Sequence, residues 1–436
     1  MRRAGLLPRL LLLLCAACPL HAFALRVDYA ADLTLEHNDN LLLTETHPVS
    51  TEVLRPGVSF DVSQQSASIQ SHLSGRVEWR RYGDRRFEDS IDSSFDGRFN
   101  WIAIPERLSF GVADTLSEQP VDTLAPNAPG NHQKVNVLAA GPTLTFGRRD
   151  GWRGVAEWRY VRSTASVTDR FDAHRDDIAL RALRDLGPTT RFAFSLERQH
   201  VDFDNATARD YTRSAAFARI ERTLRRTDYT LDAGYARLSF RRDAPSLARE
   251  RATPLLRATF GWRPGESHRV ELRLSRQFSD AASNGLAGID QATGLRDTVA
   301  TGNSLVIASP FREQRAQLAY RYRSTRWTAQ LTPFVDQIRY QDASAFDQND
   351  AGGGFEASFR ARPALTFGAN VAFDRNRYVR IDRTDETRRV SAFARYALTR
   401  HITATFTLSH YARRSTVAGQ SADQNAALLS LVWHNR

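Results

Sequence analysis

From Leu25 to Trp433 the chain alternates apolar and polar residues with a period of two, in segment after segment and without a composition break. The stretch from Leu255 to Phe278 shows the unit. Leu256, Ala258, Phe260 and Trp262 alternate with Arg257, Thr259, Gly261 and Arg263. The chain then reverses at Pro264-Gly265-Glu266-Ser267, where Pro and Gly supply turn geometry without strain. Val270, Leu272 and Leu274 return, alternating with Arg269, Glu271, Arg273 and Ser275. Period-2 alternation makes each limb a strand with one apolar and one polar face. One such hairpin fits a soluble sandwich, but sandwiches and propellers also bury some strands on both faces, which gives continuous Val/Ile runs. Almost none occur here.

Connections alternate in length. Tight links fall at Pro105-Glu106, Gly147 to Gly151, Gly187-Pro188, Arg225-Arg226, Pro264-Gly265, Ser324-Thr325, Arg362-Pro363 and Thr399-Arg400. Between them lie longer polar links near 118–133, 165–175, 204–210, 241–251, 280–310, 342–352, 374–386 and 414–423. Short and long connections in alternation are the mark of a transmembrane antiparallel up-and-down β-barrel, with short periplasmic turns and long outer loops. Such strands need about 9 to 11 residues to cross at a tilt of about 45°. They must close on themselves, because unpaired backbone groups are not tolerated in hydrocarbon. The segments predict about 20 strands, within a range of 16–20, and an even number places both termini on the periplasmic side.

The one continuous apolar run is at the start, where Arg2 and Arg3 precede Leu6 to Leu14 and Ala22-Phe23-Ala24 offers a small-x-small cleavage site. This reads as a signal peptide over 1–24, cleaved near Ala24, followed by a single barrel over 25–436. Both cysteines, Cys15 and Cys18, fall inside it, so the mature chain uses neither disulfides nor thiolate metal sites. With 42% hydrophobic residues and a mean hydropathy of −0.45, no helical membrane protein is compatible with the remainder. Losing Arg2, Arg3 and Arg9 lowers the formal charge from +11 to +8, and Lys134 is the single lysine. A high-GC coding bias accounts for arginine over lysine as readily as function does.

Aromatic residues supply a separate reading of orientation. Trp101, Trp152, Trp262 and Trp327 each sit beside a short turn, and Trp433 sits near the C-terminus. Indole favours the membrane interface, so these five are read as anchors of one rim. Tyr82, Tyr211, Tyr340, Tyr378 and Tyr411 lie at the long-loop ends of their strands and are read as the opposite girdle.

No catalytic constellation is evident. His37, His72, His200, His268 and His410 are scattered without a local motif, and no His/Asp/Glu cluster has metal spacing. The chain is therefore read as a non-enzyme without metal or cofactor. Gly352-Gly353-Gly354 reads as a flexible loop end that opens a strand. Strand parity turns Arg76, Arg80, Arg98, Arg153, Arg159, Arg191, Arg257, Arg269, Arg273, Arg315, Arg321 and Arg360 toward the lumen, interleaved with Glu78, Asp96, Glu157, Glu197, Glu271 and Glu356. Two readings stand side by side: a structural network of cross-strand ion pairs, or a cationic lining for acidic solutes, since guanidinium pairs bidentately with carboxylate or phosphate.

At the mature N-terminus, Leu33-Thr34-Leu35-Glu36-His37-Asn38-Asp39-Asn40-Leu41 followed by Leu54-Arg55-Pro56-Gly57-Val58-Ser59-Phe60 resembles the opening of the group called putative β-barrel porin 2. That opening carries an aromatic-x-Asp-Asn, an apolar residue and then a Pro-Gly. Here His37 stands in the aromatic's place, while Asp39-Asn40 and Pro56-Gly57 match. The resemblance implies an outer-membrane barrel that helps an exopolysaccharide cross the outer membrane, working with periplasmic polysaccharide-export components; it transfers no catalytic residue. Outer-membrane barrels commonly end on an aromatic, whereas here His434-Asn435-Arg436 follow Trp433.

The expectation is thus an all-β barrel in the outer membrane of a Gram-negative bacterium, in contact with the lipid bilayer and lipopolysaccharide and not with nucleic acid. Its expected role is an exopolysaccharide conduit. A general or anion-preferring diffusion porin, and a non-channel adhesin or envelope scaffold using the Asp280 to Pro310 loop, are the alternatives.

Overall fold

The computed structural model describes residues 25–126, 128–148, 151–241, 249–283 and 306–436. The expected signal peptide, with Cys15, Cys18 and the cleavage position near Ala24, lies outside them, as does most of the connection from Asp280 to Pro310. The first five strands are β1 (Leu25–Asn38), β2 (Thr51–Gln65), β3 (Ile69–Tyr82), β4 (Ser90–Ile104) and β5 (Leu108–Pro120). Then come β6 (His132–Gly147), β7 (Trp152–Ala165), β8 (Ala173–Gly187), β9 (Thr190–Phe203) and β10 (Tyr211–Thr223). The next are β11 (Thr227–Phe240), β12 (Glu250–Gly265), β13 (His268–Ser279), β14 (Phe311–Arg323) and β15 (Trp327–Tyr340). The last are β16 (Gln348–Arg362), β17 (Leu365–Tyr378), β18 (Arg383–Ala397), β19 (Ile402–Ser415) and β20 (Ala422–His434).

All belong to one 20-stranded sheet in which each strand pairs antiparallel with the next. β1 pairs with β2 on one side and with β20 on the other, so the sheet closes into an up-and-down barrel. Closure leaves no edge strand and satisfies every ladder from within. The seam differs from the hairpin-linked pairs. It runs only from Ala30↔His434 to Asn38↔Ala426, whereas β1 pairs with β2 along its whole length. Asparagines fasten both of its ends. Asn435 receives the Tyr29 amide at 2.9 Å and donates to the Val27 carbonyl at 3.0 Å. At the other end Asp39 accepts from the Asn425 backbone and side chain, both at 2.7 Å. Asn40 donates to the Asp423 carbonyl at 2.9 Å. The Asp39-Asn40 pair singled out in sequence is thus a closure device.

The apolar half of the alternation faces outward. Val58, Val77, Ile91 and Val335 are each more than half exposed, an arrangement a water-soluble surface does not sustain over a whole wall. The lipid-facing tryptophans stand at the short-turn end, between 42% and 49% exposed: Trp101, Trp152, Trp262, Trp327 and Trp433. Several pack against outward neighbours, as Trp327 on Phe359 at 4.6 Å and Trp433 on Tyr29 at 5.7 Å, both pairs tilted.

Four expectations are corrected. Tyr82, Tyr211, Tyr340 and Tyr378 are buried, and with Tyr411 they have the inward parity of their strands, so they form no outer girdle. Gly352-Gly353-Gly354 lies inside β16, paired on both sides, because a Cβ on Gly352 would meet the Phe373 carbonyl at 2.5 Å and one on Gly353 the Pro333 Cα at 3.0 Å. The Pro264-Gly265 turn sits two residues later, at Glu266-Ser267, after a register shift between Trp262 and Gly265. The long link near 374–386 shrinks to Val379–Asp382, since β17 and β18 pair up to Tyr378↔Arg383.

Candidate functional site: the inner wall and the loop clamps

The polar half of the alternation forms the inner wall, where long side chains reach across strands. On β1 to β4 the hub is Glu78, which accepts from Arg55 at 2.8 Å, Arg76 at 2.8 Å and Arg80 at 3.2 Å. Arg76 also grips Asp32 with two bonds of 2.7 Å, reaching over β2 from β3 to β1. It can do so only because Gly57 lies beneath: a Cβ there would sit 2.8 Å from the Arg76 guanidinium and 2.9 Å from the Asp32 carboxylate. The Gly of the Pro-Gly motif is therefore the floor of an ion pair that ties three strands. Arg80 also pairs with Asp92, and Arg98 lies 3.8 Å from Asp96.

A second network runs over β7 to β12. Arg153 and Arg191 share Asp185 at 2.7 and 2.8 Å, and Arg191 lies 3.7 Å from Glu221. Arg159 pairs with Glu157 at 3.1 Å and donates to the Pro142 carbonyl at 2.8 Å. Arg257 meets Asp232 at 2.9 Å and lies over the Phe217 ring at 4.6 Å. A third follows on β13 to β15. Glu271 holds Arg269 at 3.1 Å and Arg273; Arg315 pairs with Asp336 at 3.3 Å; Arg321 donates to Gln330 at 2.9 Å.

Ten of the twelve arginines expected on the inner wall are thus met by carboxylates, Arg321 by an amide, and only Arg360 stands exposed with no acidic partner among the described residues. Arg360 belongs to a short basic ladder at the turn-side mouth. It faces Thr366, which faces Arg395, and Arg362 follows two residues on. All three arginines are exposed.

The loop end is organised differently, and no local signal announces it. There the inward positions of β8 to β13 turn apolar: Val201, Ala215, Phe217, Leu238, Phe240 and Leu255 pack into one buried cluster with Tyr211 and Phe278. Three clamps tie loops from distant strands over this end. Asp280, just past β13, accepts from Arg175 of β8 at 2.5 Å and from the Tyr211 hydroxyl at 2.9 Å. Burial alone would raise the Asp280 carboxyl, but the Arg175 guanidinium and the Ser283 donors hold it down to about 2. Beyond it, Ala282 and Val306 pack on Val135, Val137 and Ala139 of β6 and on Val161 of β7.

The second clamp crosses the barrel from the other side. The carbonyl of Leu124, in the loop after β5, accepts from Arg383 of β18 at 2.5 Å and from Arg413 of β19 at 2.9 Å. Both arginines are buried and share Asp385. The third joins Arg209, between β9 and β10, to Asp342, between β15 and β16, at 2.7 Å. Burial raises the Asp342 carboxyl and Arg209 lowers it again, with the balance upward. Among the described residues no group of three His, Cys, Asp or Glu has the geometry to hold a metal ion.

Residues 314–435, which cover β14 almost entirely and the strands after it, match the family model described as putative beta-barrel porin 2. The chain is an outer-membrane-type β-barrel. The match lies at the opposite end of the chain from the N-terminal residues that carry the resemblance. No curated protein matches the sequence. Among solved structures the chain is similar to the apoprotein form of the FrpB iron transporter from Neisseria meningitidis (F5-1 variant), with 10% identity and a TM-score of 0.49 over 93% of this chain and 81% of that one. It is also similar to the siderophore receptor PirA from Pseudomonas aeruginosa (11% identity, TM-score 0.44, 94% and 80% covered). The copper transporter OprC gives 10% identity and a TM-score of 0.46, with 95% and 82% covered.

Proposed function

We propose that this barrel is the outer-membrane conduit for an exported, acidic exopolysaccharide, with the turn end in the periplasm and the loop end outside a Gram-negative cell. The observation that carries the reading is the distribution of arginine on the inner wall. Over β1 to β15 the inward guanidinium groups are met almost throughout by carboxylates of the same or a nearby strand, at the turn end too, where Arg153 and Arg191 share Asp185. On β16 to β18 Arg360, Arg362 and Arg395 have no carboxylate partner among the described residues and stand at the turn-side mouth, where a chain made in the periplasm would enter. A polyanion meets an attractive entrance and then a nearly balanced wall, which lets it move on instead of binding. The family match supports a barrel of porin type. Periplasmic polysaccharide-export components would meet the turn end, and the lipid bilayer with lipopolysaccharide would surround the wall.

The test is deletion of the gene in its native host. Exported glycan should fall and accumulate in the periplasm, and re-expression should restore it; unchanged export would remove the conduit reading. An anion-preferring diffusion porin is the second reading, favoured by the same three arginines, and liposome swelling with small sugars would show it. The loop clamps give some support to a third, a scaffold or adhesin barrel closed at its outer end, which predicts no swelling and no conductance.

A further inference from the structure

The outer wall carries its own charge pattern at the level just above the apolar band. On β15 the band runs from Trp327 through Leu331 to Val335, all exposed. At the strand tilt of such barrels those eight steps rise about 20 Å, most of the roughly 25 Å apolar height. Arg339 follows four residues above Val335, outward by parity. On the neighbouring strands the same level is held by Arg276 above Leu274, Arg312 above Leu318, Arg375 and Arg377 above Phe373, and Arg388 before Val390. Among the described residues, the one acid within strands β13 to β18 on the same face is Glu386, which lies 3.5 Å from Arg375 and 3.9 Å from Arg388, and buried Asp347 at the loop end also acts on Arg312 and Arg339. Asp347, in the loop above, accepts the Tyr340 amide at 2.8 Å.

Two facts make this a site more than a solvated fringe. Arg312 and Arg339 are directly opposite on paired strands, a placement that costs energy for like charges. The Nε of Arg312 is buried and has no hydrogen-bond partner among the described residues. Arg377, exposed and facing Asn349, carries no carboxylate partner among them either. Elsewhere on the outer wall charges at this level stand singly or are compensated: Arg81 and Arg198 are isolated exposed arginines among the described residues, Arg162 pairs with Asp204 at 2.5 Å, and His200 with Asp202 at 3.2 Å.

We propose that the outer wall of β13 to β18 binds the phosphate groups of an outer-leaflet glycolipid, lipid A, through Arg312, Arg339 and Arg377. Phosphate supplies the missing counter-charge, which neutral acceptors do not: Arg339 donates to the Ile338 and Gln348 carbonyls at 2.9 and 2.6 Å and to the Asn349 side chain, and guanidinium pairs with phosphate through charge-assisted bonds. This rests on the reading that the loop end faces outward in an outer membrane.

The experiment titrates the purified full-length barrel in detergent with bisphosphorylated lipid A, monophosphorylated lipid A, phosphatidylglycerol and inorganic phosphate. Bound lipid is read by native mass spectrometry. Lipid A should bind tightest, its monophosphoryl form more weakly, and the combined Arg312→Gln, Arg339→Gln, Arg377→Gln variant about tenfold or more weakly. Arg162→Gln with Arg237→Gln, equally outward but paired, should leave binding unchanged. If the triple variant loses its heat-modifiable, folded form, Arg377→Gln alone should still weaken binding by a few fold. Equal binding by a folded triple variant, or phosphatidylglycerol binding as tightly as lipid A, would overturn the proposal. Fractionation reads the underlying premise separately. A barrel found in the outer membrane whose variants bind lipid A normally sinks only this site, whereas a barrel absent from the outer membrane sinks the orientation itself.

Discussion

At the turn end of β16 to β18 Arg360, Arg362 and Arg395 are exposed with no carboxylate partner among the described residues and tryptophans ring the outside, whereas at the loop end Arg175, Arg383 and Arg413 are buried and each is held to a carboxylate. The same side chain therefore does opposite work at the two ends of one wall. Exposed guanidinium in high dielectric is a weak, salt-screened attractor. Buried guanidinium is costly to desolvate, so it is stable only with its partner, and the pair fixes whatever backbone carries it. The loop end is where rigidity is concentrated, and the turn end is where charge is available to a solute.

That contrast can be broken most directly at Asp280. Asp280→Ala leaves Arg175 buried without its carboxylate, at a cost of about 3–5 kcal/mol. The heat-modifiable transition in detergent should fall in temperature, and protease should cut faster near residues 280–283. If the transition temperature and the cleavage rate are unchanged, the clamp holds nothing.

Acid should do the same reversibly. The folded Asp280 carboxyl lies near 2, below its ordinary value of 3.8, so its contribution is complete above about pH 4 and is lost as pH falls through about 2. The difference in transition temperature between the wild type and Asp280→Ala should be constant from pH 8 to pH 4 and shrink below pH 3; a difference that changes between pH 5 and 7 would assign the titration to another group.

Smaller effects sharpen the picture. Arg383→Gln removes one of two donors to the Leu124 carbonyl and should cost about 1–3 kcal/mol, seen as faster protease nicking in the loop after β5. Gly57→Val forces apart the Arg76 and Asp32 pair and should cost about 1–3 kcal/mol of thermal stability, with Gly57→Ala intermediate. The least effect is expected from Arg360→Gln combined with Arg362→Gln. Stability should stay within about 0.5 kcal/mol, while anion preference, read as reversal potential under a salt gradient, should weaken by a few fold at low salt and not at high salt. A shift that survives molar salt would place the selectivity deeper in the wall.

The strand ladder was legible because its cause is local. Period-2 alternation and short-long connections are written residue by residue, and the twelve inward arginines follow from parity alone. The clamps were not, because Arg175 and Asp280 stand 105 positions apart and Leu124 and Arg383 stand 259 apart, with nothing in either neighbourhood to couple them. The tyrosines misled for a related reason. Position at a loop end says how high a residue sits, but Tyr211 and Tyr340 share the parity of Phe217 and Ile338, and the apolar lining at that height draws them inside. Gly57 is intermediate: the Pro-Gly motif marked it, but only the crossing of Arg76 over β2 says why glycine is needed.

The seam between β1 and β20 has a consequence in time. Until the last strand is in place the other nineteen form an open sheet with two bare edges, and the pair that joins Ala30 to His434 spans nearly the whole chain. Contacts of such separation form late and slowly. Assembly is therefore a race between capture of the final strand and capture of either edge by another molecule. Asn435, two residues past Trp433, is the last latch to engage, so loss of the final two residues should leave the sheet intact but the ring slow to shut.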